Sequence, residues 1–198
     1  MKLLYFDTET TGLLPDEHSI IEIAGLVEID GRVVEEFIFP VKPFRMDNIS
    51  EDALRVHGVS REMLSSGYEP PLIHEKLTKI FGKYINKFNK DDKFTAVGYN
   101  VEFDMKFLHS FFSNCGDKYC GSWVTWNYLC IFNMIKWFIA NGSLALPNYK
   151  LATVCEHYGI SLPNAHSAMD DIKATRELFY VVLAQLQPGY TFPTQRQN

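Results

Sequence analysis

Asp7 and Glu9 stand two residues apart at the end of an apolar run, Leu3-Leu4-Tyr5-Phe6, and lead into Thr10-Thr11-Gly12-Leu13. In a strand, residues i and i+2 project from the same face, so the two carboxylates lie side by side while Thr8 points away. Left unpaired they repel and resist desolvation, and a divalent cation turns both costs into ligation. An Asp-Thr pair at a strand end also describes a simple turn cap, so by itself the stretch leaves both readings open.

Two further acids have the same ambiguity. Asn100-Val101-Glu102-Phe103-Asp104 follows a strand-like run, with Asn100 in the place of a helix N-cap. On that helix Asp104 shares a face with Leu108 and Phe111, and Glu102 with Lys106 and His109, so Asp104 points inward and Glu102 toward water. An inward carboxylate needs a cation or a proton, although a helix dipole alone also favours an acid in the first turn. In His166-Ser167-Ala168-Met169-Asp170-Asp171, Ser167 and Asp170 have the spacing of a capping box, which leaves His166 in the entering loop. Asp171 flanks the apolar stripe of Ala168, Ile172, Thr175, Phe179, Val182 and Leu186, whereas Asp170 falls with Lys173 and Glu177 on the wet side. A histidine before a helix is often only structural; one placed ahead of an inward acid suits proton transfer near neutral pH.

The elements that position these groups are readable from period and punctuation. Residues 2–7, 20–29 and 32–41 read as strands, the last two joined at Asp30-Gly31, a short-hairpin signal. Ser50 and Ser60 cap two short helices, the first ending at His57-Gly58, and Pro70-Pro71 opens a longer helix to about Phe88. A strand over 94–99, a helix over 101–112, an apolar buried helix or interface over 127–140, a helix from Tyr149 to Gly159 and a last helix from Ala168 to about Gln187 complete the chain. The expected organisation is one domain over 1–187 and a polar tail over 188–198. Its class is α/β, with a mixed sheet, an opening antiparallel meander and helices on both faces.

At 198 residues, 46% hydrophobic and 14% aromatic, the chain can bury a substantial core. It shows no long apolar span and no secretion signal, so a cytoplasmic protein with no membrane contact is expected. Cys115, Cys120, Cys130 and Cys155 lack C-x-x-C spacing and read as reduced thiols, with a site of Cys115, Cys120 and His109 as the remote alternative. The net charge of -5 argues against a general nucleic-acid binder. Lys76, Lys79, Lys83, Lys87 and Lys90 form a helical stripe, read as a solvated face that could also meet phosphate.

Taken in this order, Asp7-Thr8-Glu9-Thr10-Thr11-Gly12-Leu13, Asn100-Val101-Glu102-Phe103-Asp104 and the H-x-A-x-x-D of His166, Ala168 and Asp171 resemble the three motifs of the DEDD 3′-to-5′ exonucleases, histidine-containing DnaQ-like branch. Ala53 to Val59 resembles that branch's A-x-x-x-H-G-I stretch and Leu151 to Ile160 its Y-G-I helix, so the likeness covers nearly all of residues 3–183. It implies a ribonuclease H-like fold with a five-stranded sheet, and removal of nucleotides from a 3′ end. It also implies two divalent ions, Mg²⁺ or Mn²⁺, held by Asp7, Glu9, Asp104 and Asp171, with His166 as general base. By the same likeness Thr10, Thr11, Gly12 and Leu13 would meet the terminal nucleotide, and His57, Asn100 and Phe103 the substrate strand.

The expected partner is single-stranded nucleic acid or a frayed 3′ end, DNA favoured over RNA, with a DNA polymerase as a further partner in the proofreading case. Bound divalent ions would offset the acids locally, which reconciles an acidic chain with a polyanionic substrate. The alternatives are an exoribonuclease resembling ribonuclease T or oligoribonuclease, and a catalytically silent nucleic-acid or polymerase-binding module; the intact acid set argues against silence. The tail over 188–198 shows no clamp-binding pattern, which favours a free enzyme or small subunit. One departure is Ser122-Trp123-Val124-Thr125-Trp126, which lacks the Asp that relatives often carry there; this segment, with Trp137, is read as core, with a partner surface as the alternative.

Overall fold

The computed structural model describes residues 1–163 and 167–187, and of His57 the backbone only. Strands β1 (Lys2–Thr10), β2 (Ile20–Ile29) and β3 (Arg32–Pro40) are followed by helices α1 (Glu51–His57), α2 (Arg61–Ser65) and α3 (Pro70–Gly82). Then come β4 (Phe94–Gly98), α4 (Val101–Asn114), β5 (Val124–Cys130), α5 (Ile131–Ala140), α6 (Leu151–Tyr158) and α7 (Ala168–Leu186). The sheet order is β3-β2-β1-β4-β5. β1 and β2 pair antiparallel, as do β2 and β3, whereas β4 runs parallel to β1 and to β5. Asp30 (φ 48°) and Gly31 (φ 82°) make the expected tight hairpin between β2 and β3.

Alternation along β1 divides the interior. Leu4 and Phe6 join Ile23, Phe94 and Ala96 beneath α3 and α4, through Ile73, Leu77, Phe81, Met105, Leu108 and Phe112. Leu3 and Tyr5 face the other way with Leu26 and Val97, under Ile131 and Ile135 of α5, Val154 of α6, and Ile172, Leu178 and Phe179 of α7. Each fully buried large side chain contributes about 1.5–3 kcal/mol, so both layers are firmly attached to the sheet. α7 is also tied by a buried polar contact, in which Arg176 Nε and the Tyr180 hydroxyl both donate to Glu28 of β2.

Several expectations are corrected. β1 continues to Thr10, so Asp7 and Glu9 lie within the strand rather than at its end. α3 stops at Gly82 instead of Phe88, because Lys2 and the Asn86 N–H hold Asp92 and draw the chain into a separate loop. The apolar stretch 127–140 is half strand and half helix; periodicity cannot separate these in a buried run, and pairing with β4 decides for β5 up to Cys130. Trp123 is buried, but Trp126 and Trp137 are 52% and 57% exposed, so the tryptophan segment is only partly core. Asn100 is not a side-chain cap: it adopts a left-handed conformation (φ 70°) in the tight β4–α4 turn, and Ser167 likewise makes no side-chain cap bond. The lysine stripe is broken, since Lys79 and Lys83 pair with Glu75 and Glu35 and Lys76 lies over the Tyr68 ring. All four cysteines are free thiols.

Candidate active site

The pairing of β1 with β4 ends at Tyr5↔Val97, while β1 runs on to Thr10 along β2. Beyond Tyr5, the β4 side of β1 therefore has no ladder partner, and this is where the acids collect, off the carboxyl ends of the parallel strands. Gly98 makes the turn into α4 possible: a Cβ there would stand 2.8 Å from that of Val101. α4 starts at once and its first turn swings Asp104 under β1, where Oδ1 accepts the Thr8 backbone N–H at 3.0 Å and the Thr8 hydroxyl at 2.8 Å. Thr8, which sequence reasoning treated only as pointing away from the acid pair, is thus the residue that fixes the third acid. The free strand edge that creates the contact is a tertiary fact.

On the opposite face, Asp7 and Asp171 line one cleft of about 100 Å³ with Tyr5, Val97, Tyr99, Ile172 and Thr175. Burial pushes the Asp7 carboxyl well up from the ordinary carboxylate range, helped by the charges of Asp104, Glu9, Asp171 and Glu22 in that order. Asp104, 4% exposed, is pushed up to about 7 by burial; the two Thr8 hydrogen bonds oppose this and the charge of Glu9 adds to it. The four expected acids therefore come from β1, α4 and α7 into one mutual electrostatic field. Glu22 is a fifth member that sequence reasoning missed, placed directly across the β1–β2 pair from Glu9. An acid at a strand position facing D-x-E would have been the signal, once the register was known.

Among the described residues no three Asp, Glu, His or Cys side chains stand as a closed ligand set. The donor chemistry itself is all carboxylate oxygen at the head of a desolvated cleft, which fits hard divalent cations such as Mg²⁺ or Mn²⁺ rather than a sulfur- or imidazole-preferring metal. His166 lies outside the described residues; Ser167, the next residue, lines a groove of about 470 Å³ that also holds Glu9, Glu22, Val59 and Met63. Asp170 does not line the Asp7 cleft and Asp171 does, as the helix phase predicts.

The loop after Glu9 is built more tightly than its threonines and glycine suggest. The Thr10 hydroxyl donates to the Gly12 carbonyl at 2.7 Å, and the Thr11 hydroxyl, fully buried, accepts the Ser19 N–H at 2.9 Å. Gly12 is not in the left-handed region, so its missing side chain serves space rather than backbone freedom. A Cβ on Gly12 would lie 2.1 Å from Cδ2 of His18, whose ring fills that space and accepts the Leu14 N–H at Nδ1, 3.2 Å away. The result is a fixed turn that presents Leu13, 77% exposed, to solvent. Phe103 is half-buried against Phe107 (ring centroids 4.8 Å), Asn100 is exposed, and His57 closes α1.

The chain is similar to several known proteins. The chain is 31% identical over 190 residues to the PolC-type DNA polymerase III of Caldanaerobacter subterraneus subsp. tengcongensis, covering 94% of this chain and 12% of that protein. To the DNA polymerase III subunit epsilon of Treponema pallidum it is 28% identical over 181 residues, covering 90% of this chain and 75% of that subunit. The chain therefore spans only about a tenth of the PolC-type relatives' length. Among solved structures, Escherichia coli exonuclease I in complex with a dT13 oligonucleotide superposes with a TM-score of 0.74 at 19% identity, over 93% of this chain and 41% of that one. That likeness shows the ribonuclease H-like fold. The zinc-bound form of the same enzyme with single-stranded DNA gives a TM-score of 0.77 at 20% identity, over 95% of this chain and 41% of that one. With the exonuclease family profile matching residues 4–179 and the acids of all three motifs brought to one end of the sheet, the chain belongs to the exonuclease family.

Proposed function

We propose that the protein is a metal-dependent 3′-to-5′ exonuclease that removes nucleotides from single-stranded or frayed DNA ends. The observation that carries this reading is the convergence of Asp7, Glu9, Asp104 and Asp171 on one desolvated position, where the Asp7 carboxyl is held up by burial and by its acidic neighbours. Such a field favours a cation over four naked carboxylates. Asp7, Glu9, Asp104 and Asp171 would hold two divalent ions, which would supply an activated water and charge neutralisation at the leaving 3′ oxygen. Thr8 keeps Asp104 oriented. Leu13, on its His18-braced turn, packs against the terminal base, and Glu9 reaches the 3′ hydroxyl. His166, immediately before Ser167 at the edge of the Glu9 groove, accepts the proton of the attacking water.

DNA is preferred to RNA here because the relatives are DNA polymerase components and the solved neighbours are described with DNA oligonucleotides. Association with a polymerase and a cytoplasmic location follow the same line; no described helix is long and apolar enough to cross a membrane. The test is digestion of matched 5′-labelled single-stranded DNA and RNA with Mg²⁺ or Mn²⁺. A ladder shortening from the 3′ end on DNA, abolished by chelator and by Asp7→Ala, is expected. Full activity in chelator or in Asp7→Ala would refute the mechanism, and a faster ladder on RNA would transfer the assignment to an exoribonuclease.

A further inference from the structure

The end of the sheet opposite the acids carries a surface that hydrolysis does not use. The loop between α3 and β4 is braced on itself: the Asn86 N–H donates to Asp92 at 2.9 Å, the Phe88 N–H to the Asn86 side chain at 3.2 Å, and the Asp91 N–H to the Asn89 side chain at 3.0 Å. Lys2 anchors it by donating to Asp92 at 2.5 Å and to the Tyr84 carbonyl at 2.6 Å. This bracing holds Phe88 89% exposed, a position that a large apolar ring does not take for the benefit of the core. Tyr119, 74% exposed, stands on the neighbouring turn after α4, whose own bond runs from the Tyr119 N–H to Asp117 at 2.8 Å.

Phe88 and Tyr119 line one open cavity of about 350 Å³ with Lys87, Asp117, Ser122 and Trp123. The Lys87 ammonium lies 5.3 Å from the Phe88 ring and 5.6 Å from the Trp123 ring. In a chain of net charge -5, this end is locally basic. Lys87, Lys90, Lys93 and Lys118 outnumber Asp91, while Asp92 is engaged by Lys2 and Asp117 by His74 (3.0 Å). Its apolar lining is entirely aromatic, with the Lys87 ammonium against two of the rings, which is the composition of a stacking platform for single strands. A groove for an apolar helix would instead be walled by aliphatic side chains.

We propose that this pole is an accessory site for single-stranded nucleic acid, in which a base packs against Phe88 and Tyr119 while Lys87 and Lys118 meet the flanking phosphates. The choice of nucleic acid over an acidic peptide rests partly on the exonuclease reading above. Along β1, the five residue steps from Lys2 to Asp7 and the seven to Glu9 separate this pole from the acids by about 17–23 Å at ~3.3 Å per residue. At ~3.4 Å per stacked nucleotide, a strand must exceed about five to seven nucleotides to reach both places.

Fluorescence anisotropy in chelator, which stops hydrolysis, with labelled oligothymidylates of about twenty and about four nucleotides separates the two sites. The double variant Phe88→Ala/Tyr119→Ala should weaken the long oligonucleotide about five- to 150-fold, from ~1–3 kcal/mol per stacked base, and, with Mn²⁺ in place of chelator, leave hydrolysis of the short one unchanged. Lys87→Gln should lower the salt slope of long-strand binding by about one contact. Both rings are exposed, so an unchanged thermal midpoint verifies folding. Unchanged affinity for the long strand overturns the proposal, as does binding of an acidic, phenylalanine-containing peptide that needs Phe88 while the oligonucleotide does not bind. Absence of hydrolysis in Mn²⁺ with Phe88-dependent binding intact would remove the exonuclease reading and keep this site; the reverse would remove only this site.

Discussion

Replacing Arg176 by methionine should be the most damaging single change outside the acids, although Arg176 touches none of them. Glu28 of β2 is 1% exposed and Arg176 of α7 is 16% exposed, and Nε donates to Oε2 at 2.5 Å. The Tyr180 hydroxyl donates to the other carboxylate oxygen, and the guanidinium carbon lies 5.2 Å from the Tyr180 ring. The second guanidinium contact, to the Gly31 carbonyl at 3.5 Å, is too long to matter much. Removing the arginine leaves a carboxylate enclosed between sheet and helix with one hydroxyl donor, which costs about 3–5 kcal/mol. For a chain of 198 residues this lowers the thermal midpoint by about 6–20 °C at ~2–4 °C per kcal/mol.

Removing the charge as well, in Glu28→Gln/Arg176→Met, should restore most of the loss, because the buried charge rather than the missing attraction is the penalty. Urea titrations of the wild type, both single variants and the double variant form the cycle, and a coupling above about 2 kcal/mol is expected. A double variant as unstable as Arg176→Met, or a single loss below about 1 kcal/mol, would refute the reasoning. Asp171 sits one helical turn and a little more before Arg176 on α7, so activity measured well below the midpoint reports whether the pair also sets the position of that acid.

Three further outcomes are expected. Thr8→Val, which keeps the shape of the side chain and deletes the 2.8 Å hydroxyl bond to Asp104, should cost about 1.5–3 kcal/mol of stability and reduce metal-dependent turnover, with Thr8→Ser restoring both; chemical denaturation and a Mn²⁺ titration of activity check it. Gly12→Ala should destabilise by about 1–3 kcal/mol because its Cβ meets the His18 ring, and His18→Ala in the same chain should return part of that; equal losses in the presence and absence of the His18 ring would rule out the steric cause. Asp171→Asn should abolish activity while leaving the melting temperature near that of the wild type, whereas Asp170→Asn should lose only the ~0.3–1 kcal/mol of a first-turn acid and keep its activity; the reverse pattern would contradict the helix phase.

What the sequence determined by itself was local and periodic. The spacing of Asp7 and Glu9 placed them on one face of β1, and the helical phase sent Asp104 and Asp171 inward, because side-chain direction follows backbone period without reference to partners. The Asp30-Gly31 hairpin and the Ser50 and Ser60 caps, all present in the structure, belong to the same class. Asn100 failed as a cap because a tight strand-to-helix turn overrides a cap preference worth about 1 kcal/mol, and Ser167 makes no side-chain cap bond either.

Only the tertiary structure decided the rest. The overshoot of β1 past β4 frees the Thr8 edge for Asp104, the β1–β2 register sets Glu22 opposite Glu9, and the His18 ring excludes a Cβ at Gly12. Each joins residues distant in sequence or packs a ring into space that no period describes. The division of 127–140 into strand and helix belongs here too, since an apolar run carries no phase and β4 supplied the choice. Which acids gather was therefore written in the chain. What holds Asp104 in place, and what else shares the field, was written by the pairing of strands.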